Sequence, residues 1–303
     1  KQKPGPDVAV FQAIAQVILV EELYDLEFIS QRVEDFEKYA NDIKECTPEW
    51  AENISGVPAD KIREAARIYA EANHAAIYWG MGISQSVHGT DNALSLANLA
   101  LITGNLGKPG TGLNPLRGQN NVQGCSDAGG LPNVFPGYQS VSDPKIRGKF
   151  EKKWHTKLNP EVGLTTMEMV DAAEQGVIKG YMIMGENPMM SEPDLQHARH
   201  VMKDLDFVLV QDIFMNETAE YADIIFPASS FAEKDGTFTN SDRRVQLIRK
   251  AIDAPGKARD DWRILSDLAL RVEDRLGVSE SAGFVFDSPS EIWEEMESLT
   301  TLF

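Results

Sequence analysis

A single arginine lies in a stretch otherwise made of glycine, amide, apolar and small polar residues, PLRGQNNVQGCSDAGG, residues 115–130. The guanidinium of Arg117 is planar, permanently charged and able to bind a carboxylate through two parallel hydrogen bonds. Gln119 and Asn120 add neutral donors and acceptors beside it. The stretch therefore predicts a site for a small carboxylate. An ion pair between Arg117 and an acidic side chain at a domain junction is the alternative interpretation.

The chain that carries this arginine is strongly acidic. Its 303 residues include 47 Asp and Glu against 29 Lys and Arg, which gives a formal net charge of -18. Such a charge repels polyanions, so nucleic acid and anionic membrane surfaces are excluded as expected partners. The most apolar run, residues 8–20, is shorter than a bilayer requires and contains Gln12 and Gln16, so we expect no membrane insertion.

The two cysteines, Cys46 and Cys125, are too few for a disulfide scaffold. Neither lies near another cysteine or a histidine at the spacing of a metal site. We therefore predict no metal ligand in this chain and interpret both as inert thiols in a reduced, cytoplasmic setting.

Helical and extended patterns alternate along both halves of the chain. Apolar spacing predicts helices over residues 7–20, 59–72, 90–103, 192–203 and 262–276, with Thr90 or Asp91 capping the third. The short runs AAIYW, GYMIM, FVLVQ and ADIIFP predict strands. This alternation indicates an α/β fold of two related three-layer domains, with mainly parallel sheets covered by helices. The first helix is apolar nearly all round, so we expect it to pack on a sheet.

The predicted domain boundaries follow from this pattern. Residues 1–119 form part of a first α/β domain, residues 120–275 a second one, and residues 276–303 a C-terminal helical extension. Residues 106–148 are rich in Gly, Pro, Asn and Ser without a sustained period. We expect this segment to be both a binding loop and the crossing between the domains.

Residues that can contact a ligand follow several predicted strands. In parallel sheets, ligands bind beyond the carboxyl ends of the strands. The positions at those ends are Met81, Gln85, Asn187, Gln211, Asp212, Ser229 and Ser230. An acidic side chain there can read guanine, whose adjacent N–H donors a carboxylate accepts together, and Asp212 and Asp261 are the candidates. Ordinary loop residues, and for DDWR a cap of the last predicted helix, are the alternative interpretations.

Longer motifs carry a family resemblance. In chain order they are GMGISQ, NLALITGNLGKPGTGLNPLRGQNNVQGCSDAGGLPNVFPGYQ, MGENP, VLVQDIFMNETAEYADIIFPASSFAEKDGTFTNSDRRVQ and DDWRIL. Together they resemble the catalytic subunit of molybdenum- or tungsten-dependent formate dehydrogenases, in the dimethyl-sulfoxide-reductase superfamily of molybdopterin enzymes. The resemblance covers nearly the whole chain, and RGQNN is its most discriminating motif.

The resemblance implies a role for the lone arginine. Arg117 would orient formate beside an oxidised molybdenum or tungsten centre, so that hydrogen leaves the substrate carbon, carbon dioxide is released and two electrons pass onward. Gln119 would lie close to the metal and the pterin. Electron-transfer subunits or domains would be the partners of the complete enzyme.

The resemblance also implies a cofactor, a bis-molybdopterin guanine dinucleotide. Met81 and Gln85 would contact a dinucleotide from the first domain, and the second domain would supply Asn187, Ser191, Gln211, Asp212 and Asp261. Asn187 stands where some relatives have Asp, and an amide cannot offer two acceptors, so its expected contact is a ribose or phosphate. Ala228 stands where a hydroxyl sometimes occurs, so Ser229 or Ser230 would have to replace it.

Three parts of the family pattern have no counterpart in this sequence: the [4Fe-4S] module, the selenocysteine or cysteine that ligates the metal, and the C-terminal pterin domain. The resemblance therefore implies the central region of a larger multidomain enzyme, inactive by itself. Two alternatives stay open. One is another molybdopterin oxidoreductase, nitrate-reductase-like or NADH-dehydrogenase-like, and the other is a non-catalytic guanine-nucleotide-binding module.

Overall fold

In the computed structural model, which describes residues 1–278 and 283–302, the chain divides into two units. The N-terminal unit comprises residues 1–120 and the C-terminal unit residues 121–303. Each unit contains helices and a parallel sheet. The predicted α/β class is therefore confirmed.

The N-terminal unit is mostly helical before its first strand. Its elements are α1 (Asp7–Val20), α2 (Leu26–Arg32), α3 (Phe36–Asp42), α4 (Pro48–Ser55), α5 (Ala59–Ala70), β1 (Ala76–Trp79), α6 (Met81–Ser84), α7 (Gly89–Ile102) and β2 (Gly112–Pro115). The predicted helices at 7–20 and 59–72 and the strand AAIYW match α1, α5 and β1 closely. The shorter helices α2 to α4 fill a stretch for which we predicted no separate elements.

Helix α1 is the centre of the core in this unit. Its buried residues include Ala13, Ala15 and Ile18, each fully shielded from solvent. The expectation that α1 packs mainly on a sheet is wrong. The helix lies chiefly against the helices α4, α5 and α7. Small alanine side chains let neighbouring helices approach α1 closely, so a helix that is apolar nearly all round can be enclosed by other helices.

Strands β1 and β2 pair in parallel, and the chain turns back directly after β1. Helix α6 follows β1. Helix α7 then begins at Gly89, and its cap residue is His88, whereas the sequence predicted Thr90 or Asp91 as the cap. The reason is a close approach: a Cβ on Gly89 would lie 2.0 Å from the Ser84 carbonyl oxygen at the end of α6. Only glycine lets the two helices meet there, and α7 then begins at that contact.

The C-terminal unit carries the larger sheet. Its elements are α8 (Val122–Asp127), β3 (Val134–Phe135), β4 (Gln139–Ser140), α9 (Pro144–Lys153), α10 (Thr166–Glu174), β5 (Gly180–Met184), α11 (Pro188–Ser191), α12 (Leu195–Asp204), β6 (Phe207–Asp212), a 3₁₀ turn (Thr218–Tyr221), β7 (Ile224–Pro227), β8 (Gly236–Thr239), β9 (Val245–Ile248), α13 (Asp261–Leu276) and α14 (Pro289–Ser298). The helix predicted over 192–203 begins instead at Leu195, because the Asp194 side chain accepts a hydrogen bond from the His197 N–H and caps it.

The parallel sheet has the order β5-β6-β7. Met184 pairs with Gln211, and Gln211 pairs with Phe226, so the three strands end at the same edge. The central strand β6 is buried from Val208 through Gln211, as its unbroken apolar run VLV suggests for a strand covered on both faces. Its side chains form a core with residues of β5, α11 and α12.

The segment at 106–148 is more regular than its composition predicts. It holds β2, α8, the antiparallel pair β3 and β4, and the start of α9. These elements were missed because most have two to six residues, too few to produce a recognisable hydrophobic period. Among the described residues, no helix combines the length and the apolarity needed to cross a membrane.

The core position of Ile18 makes a stability prediction. Ile18→Ala should lower the free energy of unfolding by about 2–5 kcal/mol, because it leaves a cavity among helices. Val20→Ala is the matched control, since Val20 ends the same helix with 69% of its surface exposed. Its effect should stay within about 0.5 kcal/mol. Urea denaturation measures both, and equal losses would contradict the enclosed position of α1.

Candidate functional site

Two chain segments leave the sheet of the N-terminal unit at the same edge. Trp79 pairs with Pro115 at the ends of β1 and β2, and the Leu116 N–H donates to the Trp79 carbonyl oxygen at 2.7 Å. After these strand ends come α6, which begins with Met81, and the arginine loop, defined here as residues 116–120. Parallel pairing thus brings two stretches that are some thirty-five residues apart in sequence to one place.

Met81 and the arginine loop approach each other closely. A Cβ on Gly118 would lie 3.5 Å from the Met81 sulfur. Gln85 lies one turn further along, where its N–H donates to the Met81 carbonyl oxygen at 2.7 Å. The side chains of Met81, Gln85, Arg117 and Gln119 are all exposed. Among the four residues predicted for this unit, Met81 therefore lies beside the loop that carries Arg117 and Gln119.

In the C-terminal unit, Asn187 is tied to the 3₁₀ turn. Its side-chain oxygen accepts hydrogen bonds from the hydroxyl and the N–H of Thr218, at 2.7 and 3.2 Å. Its amide nitrogen donates to Glu217 at 2.6 Å, and this bond is the largest cause that lowers the pKa of the exposed Glu217 carboxyl. The geometry therefore commits both ends of the Asn187 amide to the loop after β6. Ser191, at the end of α11, is exposed outside this group.

A denser polar group joins the ends of β6 and β7 to the start of α13. The Gln211 amide nitrogen donates to one carboxylate oxygen of Asp261 at 2.7 Å, and the Lys234 ammonium is paired with the other. Lys234 also donates to the Ser229 carbonyl oxygen at 2.9 Å, and the Ser229 hydroxyl donates to Asp260 at 3.0 Å. These bonds connect residues from three chain segments at the carboxyl edge of the sheet.

One acceptor in this group is left over. Gln211 is fully buried, and its side-chain oxygen has no hydrogen-bond partner among the described residues. A buried polar atom without a partner costs roughly 1–3 kcal/mol, so such an atom calls for an explanation. Because Asp261 fixes the amide nitrogen as a donor, the opposite atom is an acceptor. It suits a ligand that offers an N–H or O–H group.

Asp212 and Ser230 are used differently. The Asp212 carboxylate accepts from the N–H groups of Ile213 and Phe214 and from the Asn216 amide, at 2.6, 3.2 and 2.9 Å. These bonds fold the loop after β6 back on itself and occupy both carboxylate oxygens. Ser230 donates its N–H to Glu233 at 2.8 Å, which shapes the turn before Lys234.

The sequence did not single out Lys234 or Asp260. Lys234 lies in SSFAEKDG, four residues after Ser230, and nothing in a charged turn distinguishes a lysine that faces a carboxylate from a solvated one. Asp260 is the cap residue of α13, yet neither it nor Asp261 caps the helix with its side chain. DDWR therefore does supply the cap position of α13, but its two carboxylates bond to residues near the strand ends and not to the helix backbone.

The Lys234 contact makes a second stability prediction. Lys234→Met should lower the free energy of unfolding by about 1–2 kcal/mol, because it leaves the partly buried Asp261 carboxylate without its charged partner. Lys38→Met is the control, since Lys38 pairs with Asp42 on an open helix surface. That loss should stay below about 0.5 kcal/mol. Chemical denaturation of both variants would measure the difference, and equal losses would show that the Lys234 pair is a surface contact.

Formate dehydrogenases are similar to this chain over nearly its whole length. Over 298 residues the chain is 51% identical to the alpha subunit of F420-dependent formate dehydrogenase from Methanocaldococcus jannaschii, covering 98% of this chain and 43% of that protein. Formate dehydrogenase H from Escherichia coli is 43% identical over 298 residues, covering 98% of this chain and 41% of that protein. The chain thus spans less than half of the length of these relatives.

A solved structure shows the same fold. Acetylene hydratase from Pelobacter acetylenicus matches 98% of this chain with a TM-score of 0.71, over 44% of its own length and at 20% sequence identity. At that identity the likeness concerns the fold alone. The family model of molybdopterin oxidoreductases matches residues 1–271. The chain, with its parallel sheets and polar strand ends, therefore belongs to the molybdopterin oxidoreductase family.

Proposed function

We propose that this chain is the central region of a formate dehydrogenase catalytic subunit. The reaction is the oxidation of formate to carbon dioxide, with release of one proton and two electrons. Arg117 binds and orients the formate, and the electrons leave to an electron-transfer subunit or domain. The observation that carries the proposal is 51% identity over 98% of the chain to the alpha subunit of a formate dehydrogenase.

The position of Arg117 supports a role in binding a small anion. Its side chain is exposed in a loop at the carboxyl edge of the β1–β2 pair, within a chain of net charge -18. A guanidinium holds a carboxylate side-on through two N–H donors, so both oxygens of formate are fixed at once. The C–H bond of formate then points away from the arginine. Fixing its direction is the orientation effect that can supply several kcal/mol to a reaction.

The residues of the C-terminal unit fit the molybdopterin cofactor that family membership implies. The unpartnered oxygen of Gln211 is buried at the carboxyl edge of the sheet and needs a donor. A guanine dinucleotide offers such donors in its amino, imino and ribose hydroxyl groups. When bound, the molybdenum or tungsten of a bis-pterin guanine dinucleotide supplies the two-electron acceptor chemistry.

The predicted residues would then have different roles around the cofactor. Gln211 and Asp261 would face the nucleotide from the C-terminal unit, with Ser229 and Ser230 at the neighbouring strand end. Asn187, Ser191 and Asp212 would shape the loops around it. In the N-terminal unit, Met81, Gln85 and Gln119 would contribute contacts beside the arginine loop.

Substitution of Arg117 tests the proposal in the full-length, cofactor-loaded enzyme. Arg117→Ala should lower kcat/KM for formate by about 100-fold, because a charge-assisted pair of hydrogen bonds is lost. Arg117→Lys should lose about tenfold, since an ammonium keeps the charge but not the planar fork. Steady-state kinetics with formate measures both, and metal content should stay unchanged.

Arg63→Ala serves as the control because Arg63 pairs with Glu49 on the surface of the same unit. Its formate kinetics should match those of the unsubstituted enzyme. Normal turnover by Arg117→Ala with a full complement of metal would overturn the role of Arg117. An unsubstituted enzyme that is loaded with metal, reduces nitrate and leaves formate untouched would overturn the reaction itself.

A further inference from the structure

The side chain of Asn121 makes two bonds to one strand. Its amide oxygen accepts from the N–H of Thr239 at 2.9 Å, and its amide nitrogen donates to the Thr237 carbonyl oxygen at 3.1 Å. Both partners belong to β8, which pairs with β9 along its other edge. Asn121 is the residue that directly follows the arginine loop.

This pair of bonds has the pattern of a parallel β-bridge. A residue in a parallel strand donates to the residue before its partner and accepts from the residue after it. The Asn121 amide does the same around Phe238, with its side chain in place of a backbone. It thereby satisfies two backbone groups on the edge of β8 that faces away from β9.

Two further features fit Asn121 to this position. Its backbone is left-handed, with φ 60°, a conformation that asparagine tolerates better than most residues. A Cβ on Gly124 would lie 2.2 Å from the Asn121 side-chain oxygen and 3.0 Å from its Cγ. Glycine at position 124 is therefore what leaves room for the Asn121 amide.

Helix α8, which starts after Asn121, is held to the same hairpin at its far end. Asp127 is 2% exposed, and its carboxylate lies 3.6 Å from the Arg243 guanidinium in the turn between β8 and β9. The amide contact and this ion pair together attach the whole helix to the hairpin. Within the C-terminal unit, the residue that follows the arginine loop is thus fixed by tertiary bonds.

We propose that Asn121 is a positioning residue, whose bonds to β8 form an anchor and fix the position in the chain that directly follows the arginine loop. Because the backbone joins residue 121 to the loop, fixing it restricts the conformations open to the residues just before it and so lowers the entropy lost when an anion binds Arg117. Its effect on catalysis rests on the proposed function, whereas the anchor itself does not. Loss of the amide should therefore weaken formate binding more than it slows turnover.

Two variants remove the anchor by different routes in the full-length enzyme. Asn121→Gly deletes the amide and keeps a residue suited to the left-handed backbone. Gly124→Ala keeps the amide and displaces it sterically. The control is Gly148→Ala, in helix α9, where an added Cβ meets nothing within 4 Å. Asn121→Asp keeps the acceptor for Thr239 but sets a carboxylate oxygen against the Thr237 carbonyl.

Hydrogen–deuterium exchange measures the anchor directly. The peptide that contains Thr239 should exchange roughly tenfold faster in Asn121→Gly and Gly124→Ala, with a smaller change in Asn121→Asp. Formate kinetics should show a KM raised by about tenfold with kcat within about twofold. Gly148→Ala should match the unsubstituted enzyme in both measurements.

Unchanged exchange at Thr239 in both anchor variants would overturn the proposal. Faster exchange together with an unchanged KM for formate would overturn the positioning role and leave the amide as a structural contact. Should the unsubstituted, metal-loaded enzyme not oxidise formate, the proposed function fails. The exchange measurement would still decide whether the Asn121 amide is bonded to β8.

Discussion

Parallel pairing of neighbouring strands is the constraint on which the polar edges of this protein depend. Each strand of a parallel sheet ends on the same side as its neighbour, so the residues that follow distant strands become neighbours in space. In the C-terminal unit, where Ala228 and Arg259 also form a parallel bridge, this joins Gln211 to Asp261 and Ser229 to Asp260. In the N-terminal unit it sets Met81 beside Gly118. Antiparallel pairing would send the same loops to opposite edges.

The direction of the hydrogen bonds then decides what such an edge can accept. The Asp261 carboxylate is occupied by Gln211 on one oxygen and by Lys234 on the other, so it orients its neighbours. The amide of Gln211 is consequently held with its oxygen as the acceptor that lacks a partner. A buried group of this kind is selective, because a ligand without a matching donor leaves it unsatisfied. Under the proposed function, recognition at this edge would lie in an amide whose orientation is set by an acid and a lysine.

At the arginine loop, nearby charges matter more than the net charge of the chain. The excess of acidic residues over the chain is screened within about 8 Å at physiological ionic strength, so a small anion responds mainly to the nearest groups. One guanidinium at an exposed position can then bind an anion although the net charge is -18. What such a loop requires is a defined conformation. Within the N-terminal unit, the hydrogen bond from Leu116 to Trp79 supplies it where the loop begins.

The sequence by itself determined the class of fold, the long helices, the strands β1, β5, β6 and β7, and the family. Apolar periodicity over ten or more residues and short apolar runs between turns are local properties. They can be recognised without knowing which segments pack together. The same reasoning could nominate Arg117, as the one cation in the stretch 115–130, and Gln211, as the last residue of a predicted strand. It could not identify β3 and β4, which have two residues each, or β8 and β9, whose sequences GTFT and VQLI lack an unbroken apolar run.

Only the tertiary structure decided which side chains meet. Lys234, Asp260 and Asn121 have no local signature, since their roles consist of bonds to residues that lie between 5 and 118 positions away. It also decided that α1 lies chiefly among helices. The physical reason is that hydrogen-bond partners and close approaches such as that of Gly118 to Met81 depend on distances between segments, which composition and spacing do not contain.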